Sequence, residues 1–217
     1  MINRRLVLAS LSALGLGAAG KFGSPAFAQE AMTPEMVAAK LLASPPSLGE
    51  RSMGPADAPV VMVAYGSTTC EHSAEFSQAI LPQLRAQYIE PGKLRFVFRE
   101  LPLDNLALAT FILVRSLPED KYFPILDMLW KRQKLWRNKT PKEELFRIMQ
   151  MAGMTRDAFE SSIQNKDIAQ AIFEAGKKAQ ADFSIKKTPA IFVNGRIIEG
   201  HESVAEFTAA IDSELAS

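Results

Sequence analysis

Two short apolar runs separated by a helix-like pattern constrain the fold of this chain more than any other feature. Residues 59–65 form an apolar run rich in β-branched side chains, and residues 94–98 carry large apolar side chains at every second position. Both patterns predict strands. Between them, four apolar residues recur at a spacing that places them along one side of a helix: Phe76, Ile80, Leu84 and Tyr88. A strand, a helical crossover and a second strand predict a parallel pair of strands in an α/β fold.

Cys70 is the only cysteine in the 217 residues, and it lies where the first predicted strand ends and the helix begins. The unpaired backbone N–H groups and the positive dipole end of a helix N-terminus favour a thiolate over a thiol. The thiolate is the form that attacks disulfides. A lone cysteine is in general more often a small buried apolar residue. The order of strand, loop, cysteine and helix nevertheless favours a reactive thiol here.

The first 28 residues have the pattern of a secretory signal peptide. Arg4 and Arg5 precede an apolar stretch at residues 6–19, and Ala26-Phe27-Ala28 provides a small-residue cleavage site. The stretch is shorter than the roughly 20 residues that a membrane span needs. The two arginines also resemble a twin-arginine signal. We therefore expect a cleaved leader at residues 1–28, export by the Sec or the twin-arginine route, and a periplasmic mature protein.

The charge and the cysteine content argue against several functional classes. Lys and Arg total 25 and Asp and Glu total 24, so the net charge of +1 gives no electrostatic argument for nucleic-acid binding. A single cysteine cannot form an internal disulfide, and an odd cysteine in an exported protein is either an intermolecular partner or a reactive thiol. One cysteine and two histidines do not supply a usual zinc site, so no metal is predicted.

Outside the strand, helix and strand unit, the chain is mostly helical. Residues 29–53 are predicted to be an N-terminal helix followed by an irregular linker, and helical patterns fill residues 105–183. The basic run at residues 130–137, which contains two tryptophans, is interpreted as a solvated helix face with aromatic anchors in the core. The predicted strands 190–193 and 196–199 flank Asn194-Gly195, a strong hairpin signal, and Ser203 begins a final helix.

The order of these elements, with Thr188-Pro189 before the hairpin, resembles the thioredoxin fold of the DsbA-like thiol:disulfide interchange proteins. The motifs that carry the resemblance are Ala58-Pro59-Val60, Leu81-Pro82, Phe98-Arg99-Glu100-Leu101-Pro102-Leu103-Asp104, Thr188-Pro189 and Asn194-Gly195. The resemblance covers residues 54–217. It implies a thioredoxin-like α/β domain with a helical insertion, at about residues 105–183, between the βαβ unit and the C-terminal hairpin and helix.

The resemblance also implies a set of site residues. Cys70 matches the nucleophilic cysteine of the family, and His72 matches the histidine between the two family cysteines. Pro189 matches the cis-proline whose loop faces the nucleophile. The backbone of Thr188 would then pair with an extended substrate segment beside the thiol, which is a form of strand addition.

Two positions depart from the Cys-x-x-Cys pattern of the family. Ser73 stands in place of the second cysteine, which in the family attacks the mixed disulfide that the first cysteine forms. An oxidase cycle that needs two thiols in one chain is therefore excluded. Ser73 lies one helical turn from Cys70, so its hydroxyl can donate a hydrogen bond to the sulfur and stabilise the thiolate. Glu71 replaces a proline common in the family and adds a negative charge beside the sulfur.

Two functions of different classes fit these residues. The leading hypothesis is a periplasmic thiol–disulfide exchange protein with one nucleophilic cysteine, of the isomerase, reductase or deglutathionylation type. Its expected partners are proteins with cysteines or disulfides, together with glutathione as a redox co-substrate or a membrane redox partner, and no bound cofactor is expected. The alternative is a non-catalytic binding or chaperone module that holds extended segments. Monothiol glutaredoxins share the Cys-x-x-Ser pattern, but the helical insertion and the export signal argue against them, and the oligomeric state stays open.

Overall fold

The structure is a computed structural model that describes residues 32–198 and 203–217 of the chain. The predicted signal peptide, residues 1–28, lies outside these described residues, as does residue 199 at the end of the predicted hairpin. The strands are β1 (Arg51–Met53), β2 (Val60–Gly66), β3 (Leu94–Glu100), β4 (Ala190–Val193) and β5 (Arg196–Ile198). The helices are α1 (Pro34–Ala43), α2 (Glu71–Glu75), α3 (Leu81–Leu84), α4 (Asn105–Arg115), α5 (Tyr122–Lys131), α6 (Gln133–Trp136), α7 (Pro141–Met151), α8 (Arg156–Ser162), α9 (Lys166–Phe183) and α10 (Val204–Leu215).

The five strands form one mixed sheet in the order β1-β3-β2-β4-β5. β2 and β3 pair in parallel, as the sequence predicts, and the other three pairings are antiparallel. β1 lies at the edge beside β3, although the sequence pattern assigns its residues to an irregular linker. A strand of three residues at a sheet edge is too short to show a clear alternation of apolar and polar side chains.

The helix after β2 is continuous over residues 71–89 but is not a uniform α-helix. α2 and α3 alternate with two π-helical turns, Phe76–Ile80 and Arg85–Ile89. All four apolar residues that predict this helix are buried: Phe76, Ile80, Leu84 and Tyr88. In a regular α-helix, which has 3.6 residues per turn, side chains spaced by exactly four residues drift gradually away from one face. The wider π-helical turns correct this drift and keep the four side chains on the buried face.

The core has two layers, one on each face of the sheet. Alternate residues of β2 point to opposite faces, so Met62 and Ala64 join one cluster while Val63 and Tyr65 join the other. The first layer contains the helix of residues 71–89, much of the helical insertion and α10. The second layer is smaller and contains side chains of α1 and α9. The predicted helical insertion is observed as α4 to α9.

A buried ionic cluster ties the insertion to the end of β3. The Glu100 carboxylate accepts hydrogen bonds from the Arg115 guanidinium and from the Tyr122 hydroxyl, the latter at 2.6 Å. Burial and the Glu100 charge raise the pKa of Tyr122 well above its ordinary value. Burial alone would lower the pKa of Arg115, but the hydrogen bond and the charge of Glu100 outweigh it and raise that pKa. The cluster therefore joins one carboxylate, one guanidinium and one phenol in direct hydrogen bonds inside the protein.

The hairpin turn at Asn194-Gly195 is formed as predicted. Both residues have positive φ angles, 42° and 83°, which the tight turn between β4 and β5 requires. The backbone N–H of Asn194 donates to the carbonyl of Val61 at 2.9 Å, and its side-chain oxygen accepts the N–H of Val61 at 2.9 Å. A Cβ atom on Gly195 would lie 1.9 Å from the carbonyl oxygen of Pro34. Only glycine therefore allows α1 to approach this turn so closely.

Candidate active site

The loop between β2 and α2 places Cys70 at the start of the helix of residues 71–89. Cys70 is the N-cap residue of α2, with extended backbone angles of φ −82° and ψ 126°. Its N–H donates to the carbonyl of Ser67 at 3.2 Å, and its carbonyl accepts the N–H of Ala74 at 3.2 Å. The Cys70 side chain is half-buried. The sulfur therefore lies at the N-terminus of this helix, beside its first backbone N–H groups.

The loop before β4 brings Thr188 to the sulfur of Cys70. In the pairing of β4 with β2, Ala190 lies opposite Tyr65, so the segment before β4 lies beside the segment after β2. The sulfur of Cys70 donates a hydrogen bond to the carbonyl oxygen of Thr188 at 3.2 Å. The peptide bond between Thr188 and Pro189 is cis. Thr188 is 5% exposed, and its hydroxyl has no hydrogen-bond partner among the described residues.

Ser73 is buried, and its hydroxyl makes a different contact from the one that the sequence predicts. The residue is 2% exposed, and its oxygen accepts a hydrogen bond from the N–H of Ser67 at 3.3 Å. Within the described ranges, no hydrogen bond joins the Ser73 hydroxyl to the Cys70 sulfur. Ser67 follows the last residue of β2, where the sheet ladder ends, and a buried N–H group requires an acceptor. Ser73 thus stabilises the loop that carries Cys70.

The first turn of α2 exposes Glu71 and His72 beside Cys70. The carboxylate of Glu71 forms an ion pair with Arg137, with an N–O distance of 3.3 Å. The negative charge of Glu71 beside Cys70 is therefore paired with the positive charge of Arg137, the residue that follows α6. This pair is largely exposed, and such pairs are screened by solvent and salt.

Three carbonyl groups of the Cys70 loop accept hydrogen bonds from side chains of the helical insertion. The indole N–H of Trp130 donates to Ser67 at 3.2 Å. The amide nitrogen of Gln133 donates to Thr68 at 2.8 Å and to Cys70 at 3.0 Å. Sequence analysis identifies neither residue as part of the site. The available signal is weak: Gln133 is the one uncharged polar residue of the basic run 130–137 and lies three residues after Trp130.

A further hydroxyl contact fixes the same loop from α4. The hydroxyls of Thr68 and Thr110 are 2.6 Å apart, and both residues are fully buried. The hydroxyls of Ser67 and Thr69 are 3.2 Å apart. Every residue between β2 and Cys70 is therefore hydrogen-bonded, and the loop presents the sulfur on a rigid support.

Neither a metal-binding cluster nor a membrane-spanning helix is found in the described part of the chain. In residues 32–198 and 203–217, no group of three or more His, Cys, Asp or Glu could hold a metal ion. Among the helices of these residues, none is long and apolar enough to cross a membrane.

Comparisons of sequence place this chain among thioredoxin-like proteins. The sequence model of a family described as thioredoxin matches residues 47–213. A Rickettsia bellii protein assigned as a protein-disulfide oxidoreductase is 29% identical over 170 residues, which are 75% of this chain and 63% of that protein. A Bacillus cereus protein assigned as disulfide bond formation protein D is 24% identical, and the match covers 76% of this chain and 79% of that protein. The chain spans less than two thirds of the length of the Rickettsia relatives.

Comparison of structures gives the same fold. The crystal structure of alpha-DsbA1 from Wolbachia pipientis is 25% identical, with a TM-score of 0.75 over 85% of this chain and 96% of that chain. The crystal structure of oxidised BdbD from Bacillus subtilis is 18% identical, with a TM-score of 0.69 over 80% of this chain and 97% of that chain. The family match extends over most of the sequence, and both the sheet order and the position of Cys70 agree with the fold that it predicts. The chain therefore belongs to the thioredoxin family, with a DsbA-like thioredoxin fold and with Ser73 at the second position of the Cys-x-x-Cys motif.

Proposed function

We propose that this protein exchanges thiols and disulfides through Cys70 alone, in the periplasm, as an isomerase, a reductase or a deglutathionylating protein. The observation that carries the proposal is the position of the sulfur. It is half-buried at a helix N-terminus, 3.2 Å from the Thr188 carbonyl, and held by a hydrogen-bonded loop. The names of the sequence relatives support the same class of chemistry.

The number of thiols and the number of disulfides stay the same in each exchange step. The Cys70 thiolate attacks one sulfur of a substrate disulfide, so a new S–S bond forms to Cys70 as the substrate S–S bond breaks. The second substrate sulfur leaves as a thiolate and takes a proton from solvent. A thiolate from the substrate or from glutathione then attacks the mixed disulfide and releases Cys70. One disulfide is present before and after each exchange, so no other oxidant is needed.

The residue at position 73, a serine, determines which type of exchange the protein can complete. A hydroxyl cannot form a disulfide, and the Ser73 oxygen already accepts a hydrogen bond from the backbone of Ser67. The mixed disulfide on Cys70 must therefore be resolved by a thiol from another molecule. This route supports isomerisation and deglutathionylation more readily than net oxidation of a substrate.

The substrate would bind at the Thr188-Pro189 loop. Thr188 lies next to the sulfur, and its main chain can pair with an extended segment that carries the substrate cysteine. His72, the exposed second residue of α2, would contact the same substrate segment. The partners in this proposal are proteins with cysteines or disulfides, with glutathione or a membrane protein as the source of the resolving thiol.

Intact-mass spectrometry tests the proposal directly. The purified mature protein is mixed with a glutathionylated peptide, and the reaction is quenched with acid at short times. We expect a mass increase of one glutathione or one peptide on the natural protein, reversed by reductant and absent from Cys70→Ala. A folded protein that gives no adduct, although iodoacetamide alkylates Cys70, would overturn exchange. That result would favour the non-catalytic binding module.

A further inference from the structure

A cavity of about 410 Å³ extends from exposed residues at the surface to buried residues that flank the Cys70 loop. It lies between the helix of residues 71–89, the adjacent face of β2 and β3, and α5. Its exposed lining residues include Pro82, Arg85 and Lys131. Its buried lining residues include Ser73 and Pro189, which flank the candidate active site. The cavity therefore has exposed residues at one part of its lining and two residues of the candidate active site at another.

The walls of this cavity are largely apolar, and part of their surface is aromatic. Five rings contribute to the lining: Phe76, Phe96, Phe98, Phe123 and Trp130. Pockets for small molecules have such apolar and aromatic walls with a few fixed polar groups. Aromatic side chains interact with a second aromatic ring by offset stacking or edge-to-face contact. The walls therefore favour a flat aromatic molecule over a peptide or a sugar.

The polar lining residues of the cavity are two buried serines, Ser73 and Ser77, and three charged residues that are half-buried or exposed, Arg85, Asp127 and Lys131. Ser73 and Ser77 are four residues apart on one helix and are 2% and 5% exposed. Throughout the described chain, the Ser77 hydroxyl has no hydrogen-bond partner, and the Ser73 hydroxyl accepts from Ser67 without donating in return. Both hydroxyl protons are available for donation into the cavity, because neither is donated to another described residue. A ligand oxygen that accepts hydrogen bonds can pair with them.

We propose that the cavity is a binding site for an apolar molecule of two aromatic rings that carries a carbonyl oxygen. The oxygen accepts hydrogen bonds from Ser73 and Ser77, and the rings lie among the aromatic side chains. The size supports this class, because the volume is more than twice the roughly 150 Å³ of an engineered cavity that holds benzene. Binding here does not need the thiol and is independent of the proposed exchange reaction.

Benzophenone is a suitable probe because it has two rings, one carbonyl and a photochemical readout. Diphenylmethane has nearly the same shape and no oxygen, so it is the matched control ligand. By ligand-observed NMR titration, we expect benzophenone to bind several-fold more tightly than diphenylmethane. After irradiation, peptide mapping should place the cross-link within residues 71–89 or 122–131. Cross-links confined to other regions would overturn the proposal.

Two substitutions of Ser77 test separately the contribution of its hydrogen bond and the contribution of the cavity volume to binding. Ser77→Ala should weaken benzophenone binding about fivefold, the usual effect of one lost hydrogen bond, and leave diphenylmethane binding unchanged. Ser77→Phe should fill the cavity and abolish binding of both molecules. Ser161→Phe, at an exposed helical position outside the lining, is the matched control and should bind normally. Equal affinity in Ser77→Ala and the natural protein would overturn the role of the hydroxyls.

The same titration on Cys70→Ala separates this site from the exchange chemistry. We expect unchanged affinity for benzophenone, because Cys70 is not part of the lining. Should Cys70→Ala lose binding although it remains folded, the site is the active-site surface and the cavity proposal is wrong. If Ser77→Phe does not fold, the cross-link map of the natural protein decides the question alone.

Discussion

The sulfur of Cys70 lies 3.2 Å from the carbonyl oxygen of Thr188, although 118 residues separate the two along the chain. The sheet produces this contact, because β4 pairs with β2 and Ala190 lies opposite Tyr65. The loop that follows β2 and the loop that precedes β4 therefore meet at the same end of these two strands. The position of the nucleophile is a property of strand register more than of the local sequence around Cys70.

Ser73→Cys should convert the proposed exchange chemistry from one thiol to two. The introduced thiol lies one helical turn from Cys70, a separation that a disulfide can bridge. We expect the air-oxidised variant to lose two hydrogens by intact mass and to gain oxidase or reductase activity on a model substrate. The natural protein should accumulate mixed disulfides under the same conditions, and Cys70→Ala is the blank. A folded variant that stays inactive would mean that the surrounding site does not support exchange.

Gln133→Met should loosen the Cys70 loop. The substitution keeps the side-chain length but removes the amide donor from the carbonyls of Thr68 and Cys70, of which the Cys70 carbonyl keeps only the N–H of Ala74. We expect a loss of about 1–3 kcal/mol in the free energy of unfolding, measured in urea, and severalfold slower mixed-disulfide formation at Cys70. Gln83→Met is the matched control, because Gln83 is exposed and bonds only within its own helix. If exchange by Gln133→Met matches that of the control, the amide has no positioning role.

Arg115→Met should be among the most destabilising single substitutions in the sheet region. It leaves the buried carboxylate of Glu100 without its cation, and breaking a buried ion pair in this way costs about 3–5 kcal/mol. Urea denaturation gives the free energy of unfolding. The control is Arg147→Met, which removes an exposed partner of Glu144 and should cost less than about 1 kcal/mol. Similar losses in the two variants would show that the buried cluster does not stabilise the fold.

Asp182→Asn should reduce stability at neutral pH but not in strong acid. Hydrogen bonds from Lys178 and Lys40 lower the pKa of Asp182. The stabilisation is thus complete above the unfolded-state pKa, about 3.9, and is lost as the pH falls through the lowered folded-state value. The pair is near the surface, so the expected effect at pH 7 is at most about 1 kcal/mol. Urea titrations at pH 7 and below the lowered pKa should show the difference between the two proteins disappearing.

The sequence predicts those parts of the fold that depend on regular periodicity. The parallel pair of strands, the buried face of the helix after Cys70 and the Asn194-Gly195 hairpin all have local patterns of side chains. The order of these elements, through the family resemblance, also predicts that Pro189 and Cys70 belong to one site. The structure shows the two loops in contact through Thr188.

The remaining features depend on contacts that leave no local pattern. β1 is three residues long, and the π-helical turns differ from α-helix only in a spacing of strictly four. The Ser73 hydroxyl can adopt more than one rotamer, and the choice follows from a backbone N–H six residues earlier. Gln133 acts on a loop 63–65 residues away, so its role follows only from the docking of α6 against that loop.

The supports of Cys70 also set the order in which the site can form during synthesis. The side chains that bind its loop come from residues 130 and 133, and the carbonyl beside its sulfur comes from residue 188. A ribosome makes the thiol long before it makes these partners. An unfinished chain therefore carries an unsupported, solvated cysteine, and the candidate active site forms only after the last hairpin has paired with β2.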